Sequence, residues 1–264
     1  MINYRKNKTR YIPNDLGSLY VEESKLKSNE QPIIYIGGQM EHRCHVAEQT
    51  GFTFDPGHNM FTGSWFYDYS ILKKDKKRIN AENCSKNLIE ALKEANLHDV
   101  ILITESFGGM IASNATKSEL VSKVIAIHPP ILGTPLANPA SMDEYKQLFT
   151  KIQKLLLNAL KVIVNPKYGF EQDNFKGLDL SKVDLNKLLV VGSYIDPTQE
   201  KNKALIQTYE MIRKVTGFRS DGVVIFEPSE YAKLGINYMV EDKNLSHLDA
   251  GAKKHIEDVY KKIF

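Results

Sequence analysis

Several features that would mark a secreted scaffold, a membrane protein or a polyanion binder are missing from this sequence. Its 264 residues hold two cysteines, Cys44 and Cys84. That is enough for one bridge and too few for a disulfide framework, so two free thiols are expected. No stretch approaches the about 18 consecutive apolar residues that suggest a membrane-spanning helix. The basic opening, Met1-Ile2-Asn3-Tyr4-Arg5-Lys6-Asn7-Lys8, does not lead into the apolar segment of a signal peptide. No stable membrane insertion and a cytoplasmic location are therefore expected. An excess of one charge is lacking as well: 35 Lys and Arg against 32 Asp and Glu leave a net charge of +3. Basic runs such as Lys73-Lys74-Asp75-Lys76-Lys77-Arg78 stand beside acidic helices, which gives no reason to expect nucleic acid. There is no internal repeat and no low-complexity tract.

What is present suits a globular core: 42% of residues are apolar and 25% charged, too balanced for a disordered chain. Ile33-Ile34-Tyr35-Ile36, opened by Pro32 and closed by Gly37-Gly38, is a continuous β-branched and aromatic run that predicts a buried strand. Val100-Ile101-Leu102-Ile103, Val124-Ile125-Ala126-Ile127, Leu188-Leu189-Val190-Val191 and Val223-Val224-Ile225-Phe226 predict four more. Between them lie helical patterns. Asn80 is placed to cap a helix in which Cys84, Leu88, Ala91, Leu92 and Ala95 share one face, and Ala252, Ile256, Val259 and Ile263 form a second stripe. Strands alternating with helices predict an α/β fold: a mostly parallel sheet with helices on both faces, in one domain over 1–264.

One segment departs from that alternation. Residues 138–184 carry Leu148, Phe149, Ile152, Leu155, Leu156, Ala159, Leu160 and Ile163 at helical spacing, then a stretch without strand signal. It reads either as a crossover helix packed on the sheet or as a helical cap inserted over a site. Leu157, Val162 and Val164 widen its apolar surface beyond one stripe and favour the cap.

The chemistry concentrates in three places. Thr104-Glu105-Ser106-Phe107-Gly108-Gly109 joins a strand to the small residues Met110-Ile111-Ala112-Ser113 of a helix start, which sets a serine at the apex of a sharp turn. A nucleophile elbow needs this arrangement, with glycine after the serine so that helix and strand approach closely; Thr104 stands where the first glycine is usual. The Phe107 amide then opens the helix as one oxyanion donor, and the Gln39 amide, after Gly37-Gly38, is expected as the other. Further along, Ser220-Asp221-Gly222-Val223-Val224 and Asn244-Leu245-Ser246-His247-Leu248-Asp249 supply an acid and a base, in the chain order Ser106, Asp221, His247. Asp196, after another strand, competes for the acid's role. Asp221 is preferred because Gly222 permits a tight turn that aims its carboxylate.

On these motifs the chain resembles the α/β-hydrolase superfamily and, within it, bacterial lipases and esterases with a Ser-Asp-His triad. Pro129-Pro130-Ile131-Leu132-Gly133-Thr134-Pro135-Leu136-Ala137 is similar to a stretch those lipases carry after the strand following the elbow. The resemblance spans about residues 32 to 257. It implies an α/β-hydrolase fold and hydrolysis of a carboxylic ester, from a small acyl ester or lipid substrate, through an acyl-enzyme on Ser106, with no organic cofactor. An acyltransferase on the same scaffold, and a silent fold acting as a binding module, are the competing readings; oligomeric state is left open.

Weaker groupings remain. Glu41, His42, Cys44, His45 and His58 collect zinc-ligand types without an established spacing. Asp249 matches a calcium ligand of some resembling lipases, with Asp196 as its partner, but an Asp before a terminal helix is more simply a cap. No metal is expected. His128, after its strand, is expected to be structural.

Overall fold

In the computed structural model, which describes residues 9–11, 17–21, 31–38, 65–69, 80–137, 173, 176–240, 243–250 and 253–264, the apolar runs build a sheet. Its strands are β1 (Thr9–Tyr11), β2 (Ser18–Val21), β3 (Ile33–Ile36), β4 (Trp65–Asp68), β5 (Val100–Glu105), β6 (Val121–Ile127), β7 (Leu188–Gly192) and β8 (Asn237–Val240). They lie in the order β1-β2-β4-β3-β5-β6-β7-β8. From β4 to β8 all neighbours are parallel, while β2 pairs antiparallel with both β4 and β1.

Helices cover both faces, as the double-sided hydrophobicity of the central strands requires. Helix α1 (Ala81–Glu94) starts at Asn80, whose side chain accepts the Asn83 amide at 2.8 Å. Its expected stripe, Cys84, Leu88, Ala91, Leu92 and Ala95, is buried with α2 (Phe107–Ala115) against Ile34, Ile36, Leu102, Val124, Ala126 and Val190. The alternate residues Tyr35, Ile101, Ile103, Ile125, Ile127 and Val191 face the other way and receive Ile256 and Val259 of the last helix. Each large aliphatic side chain removed from water in this way contributes about 1.5–3 kcal/mol. Among the described residues, the remaining α-helices are α3 (Lys203–Thr216), α4 (Pro228–Lys233), α5 (His247–Ala250) and α6 (Lys253–Ile263).

One sequence expectation is corrected. Val223-Val224-Ile225-Phe226 is not a strand of the sheet. It is the returning arm of a tight loop, closed by an isolated Ser220–Ile225 bridge and by Phe226 N–H donating to Arg219 O at 2.9 Å. The Val223 and Val224 amides are consumed by the Asp221 carboxylate and so are not available to a neighbouring strand. The run is apolar because Val224, Ile225 and Phe226 pack inward beneath that loop. The last strand is instead β8, whose half-exposed residues left no apolar run to read.

Of the expected cap, residues 138–172 lie outside the described residues. Its far end is tied to the body. Asp173 accepts the Ala81 amide at 2.7 Å, Leu178 N–H donates to Ile131 O at 2.9 Å, and Lys182 Nζ meets Glu82 at 2.9 Å. Gln39, Glu41, His42, Cys44, His45 and His58 also lie outside the described residues. Cys84 is a buried free thiol. Among the described residues, no helix is long and apolar enough to cross a membrane.

Candidate active site

Ser106 sits between the end of β5 and the first turn of α2 with φ 51° and ψ −122°, a left-handed conformation that costs a residue with a Cβ of order 1–3 kcal/mol. The glycines after it make that turn possible. A Cβ on Gly108 would lie 2.3 Å from Ile36 O and 2.6 Å from Gly37 O, so α2 approaches β3 only because the position is bare. The side chain of Thr104, in place of the usual glycine, is buried, its Oγ1 facing Ile125 O across the sheet at 3.4 Å.

Facing the serine, His247 opens α5. Its Nε2 is 3.0 Å from Ser106 Oγ, and its Nδ1 is 2.7 Å from Asp221 Oδ2. The His247 amide also donates to Asp221 O at 3.0 Å, which joins the two segments through their backbones. Asp221 is 1% exposed. Its Oδ1 accepts the Val223 and Val224 amides at 2.9 and 2.7 Å, the tight turn that Gly222 allows at φ 93°. Burial alone would raise the Asp221 pKa, but the charge and hydrogen bond of His247 and the hydrogen bond from His128 hold it well below the carboxylate range. Burial works against the charged form of His247 too. The Asp221 charge and hydrogen bond, with Glu105 beyond, outweigh it and raise the imidazole pKa above its ordinary value.

The segment expected to bear the second oxyanion donor is anchored up to the last residue described there. Gly38 N–H donates to Glu105 Oε2 at 3.0 Å, and the Tyr69 hydroxyl faces Gly37 O at 3.2 Å and Gly38 O at 2.8 Å. A Cβ on Gly38 would stand 3.1 Å from Ser106 Cβ, so this backbone runs directly beside the serine. Glu105 thus occupies the Gly38 amide. The carboxyl of Glu105 is itself pushed up in pKa by burial, against the opposing pull of His247.

Asp196 does not join the site. It is turned into its own loop, accepting from Thr198 N and Oγ1 at 2.9 and 2.7 Å and from Gln199 Nε2 at 3.2 Å. Asp249 accepts the Ser246 hydroxyl at 2.6 Å, also within its own turn. Among the described residues, the cluster of metal-ligating types is His128, Asp221 and His247, whose Nδ1 atoms both point at the carboxylate.

Three contributors escaped the sequence reading. Glu105 was visible as the residue between Thr104 and Ser106, but nothing local says that its carboxylate holds another loop. Tyr69 carries no signal at all. His128 was assigned a structural part, and its Nδ1 lies 2.7 Å from Asp221 Oδ2.

No protein-family model matches the sequence, and no curated protein matches it either. Among solved structures the chain is similar to the mature form of the Bacillus licheniformis lipase BlEst2, at 15% identity and a TM-score of 0.55, over 89% of this chain and 91% of that one. It is also similar to olei00960, a hydrolase from Oleispira antarctica, at 14% identity and a TM-score of 0.50, again over 89% and 91%. At such identities the likeness speaks for the fold. A largely parallel sheet with helices on both faces, a strained serine after β5, a carboxylate in a later loop and a histidine opening a later helix give this chain the α/β-hydrolase fold.

Proposed function

We propose that the protein hydrolyses carboxylic esters with a hydrophobic acyl part, through an acyl-enzyme on Ser106. The observation that carries the reading is the continuous hydrogen-bonded chain from Ser106 Oγ to His247 Nε2 at 3.0 Å and from His247 Nδ1 to Asp221 Oδ2 at 2.7 Å. A carboxylate can only accept, so Nδ1 of His247 carries the ring proton and Nε2 is the free base facing the serine.

As Oγ bonds to the ester carbonyl carbon, its proton passes to His247 Nε2, and the charge on the carbonyl oxygen is met by the amides of Phe107 and Gln39. Collapse breaks the bond to the alcohol, which leaves with that proton. Water then attacks the acyl group by the same route and frees Ser106. Asp221 stays ionised throughout, which the donors around it favour.

The test is a fluorophosphonate probe followed by turnover of p-nitrophenyl esters of rising acyl length. Labelling is expected on Ser106, and Ser106→Ala is expected to lose on the order of 10³-fold or more in kcat. An S106A variant that hydrolyses esters like the wild type would overturn the assignment.

A further inference from the structure

The carboxylate of Asp221 is shared between two histidines. His247 reaches Oδ2 from the α5 side, and His128, 2% exposed, reaches the same atom from the end of β6, each at 2.7 Å. Facing a carboxylate, both Nδ1 atoms are N–H donors. With two amides on Oδ1, both oxygens of Asp221 are doubly occupied.

His128 is built into the sheet more firmly than His247 is. Its amide donates to Val191 O at 2.7 Å, extending the β6–β7 pairing by one residue. It then turns at φ 48°, a conformation an L-residue holds only when its surroundings over-determine it. That turn brings its ring to Asp221. On the far side, His128 Nε2 lies 3.4 Å from Ser193 Oγ, and Ser193 Oγ donates to the carbonyl of Leu245, two residues before His247. The acid loop, the end of the sheet and the segment bearing the base thus meet around one buried imidazole. The titratable groups facing it are Asp221 in the acid loop, His247 of α5, Glu105 at the end of β5 and His255 of α6, with Tyr231 of α4 near Asp221.

We propose that His128 is a positioning residue for the acid: its Nδ1–H fixes Oδ2 of Asp221 from the rigid sheet, so that the oxygen is already aimed when His247 takes the serine proton. This rests on reading Ser106, His247 and Asp221 as a hydrolytic triad. Two consequences follow from sharing one oxygen. Without the second donor the carboxylate regains torsional freedom about a broad side-chain rotor, and kcat falls while KM holds. Its undivided charge then faces His247 alone, so the acidic limb of kcat/KM moves to higher pH.

Asparagine and glycine separate these effects from simple packing. Both accept a positive φ, but only Asn keeps an N–H donor near the place of Nδ1. His128→Gly is expected to lose on the order of 10 to 10²-fold in kcat on p-nitrophenyl butyrate, with its acidic limb raised. His128→Asn is expected to recover most of the rate and the original limb. His128→Ser, which is too short to reach Asp221, is the second donorless variant should H128G fail to melt cooperatively. Low-field proton NMR reads the contact apart from catalysis: two imidazole N–H resonances are expected, of which H128N removes one and Asp221→Asn shifts or abolishes both. Wild-type kcat and pH profile in H128G or H128S would overturn the proposal, as would equal losses in H128N and the donorless variants with the limb unmoved. If the wild type takes no fluorophosphonate and turns over no ester, the hydrolytic reading fails and the positioning role falls with it, whereas the resonances still report the His128 contact.

Discussion

Replacing Asp221 by Asn alters no volume and sets a conflict that no rotamer resolves. Each carboxylate oxygen receives two donors, the Val223 and Val224 amides on one and the His128 and His247 imidazoles on the other. An amide has a single accepting oxygen, so its NH2 must face one pair of N–H groups. Turned toward the backbone, it leaves two buried donors without acceptors, at about 1–3 kcal/mol each. Turned toward the imidazoles, it forces His247 to accept at Nδ1, which moves the ring proton to Nε2 against Ser106 and removes the base. The second arrangement spares the fold, because tautomers change more easily than backbone, and it removes the chemistry. Asp221→Asn is expected to cut kcat by up to about 10⁴-fold while melting cooperatively. Initial rates on p-nitrophenyl butyrate, read beside thermal unfolding, measure both. Asp196→Asn is the control. Among the described residues its carboxylate is engaged with Thr198 and Gln199 of its own loop and not with either histidine, so near-normal rates are expected. A crippled D196N together with a nearly normal D221N would refute the assignment of the acid.

Two further outcomes can be measured. The His247 pKa is raised and the imidazole acts only when neutral, so kcat/KM is expected to fall on the acid side with a midpoint above about 6.5. Glu105→Gln, which keeps an acceptor for the Gly38 amide but removes a charge facing the imidazole, is expected to lower that midpoint; an unmoved midpoint would mean that His247 does not feel Glu105. Gly108→Ala drives a methyl into the Ile36 and Gly37 carbonyls, backbone atoms that no side-chain rotation can clear, so a stability loss of about 1–3 kcal/mol and reduced turnover are expected. Wild-type melting and rates in G108A would contradict the close approach of α2 to β3.

Where periodicity and local chemistry agree, the sequence was readable. The runs that became β3, β5, β6 and β7 are buried on both faces and therefore continuous, and Asn80 caps α1 by a bond that spans three residues. The strained turn at Ser106 was legible because serine and glycines are neighbours in sequence, and the aim of the Asp221 carboxylate because Gly222 follows it. Legibility failed where one interaction took over another's backbone. Val223 and Val224 look like strand residues, yet their amides serve Asp221. The strands β1, β2, β4 and β8 (TRY, SLYV, WFYD and NYMV) form no continuous β-branched run like that of the equally short β3, so they left no signal to read. The parts of His128, Glu105 and Tyr69 depend on partners from 31 to 93 residues away, a distance at which single-sequence patterns carry no information.

Ser106 and His247 meet across 141 residues, with the pairings of β6, β7 and β8 lying between them. Contacts so distant along the chain close late, because the entropy of the intervening loop is lost before the contact returns anything. A chain refolding from denaturant therefore regains α1, β5 and α2 as a local unit, with its serine in place and nothing to take the proton. Ester turnover in such an experiment reports the docking of β7 and β8, and a stopped-flow circular dichroism signal should run ahead of it.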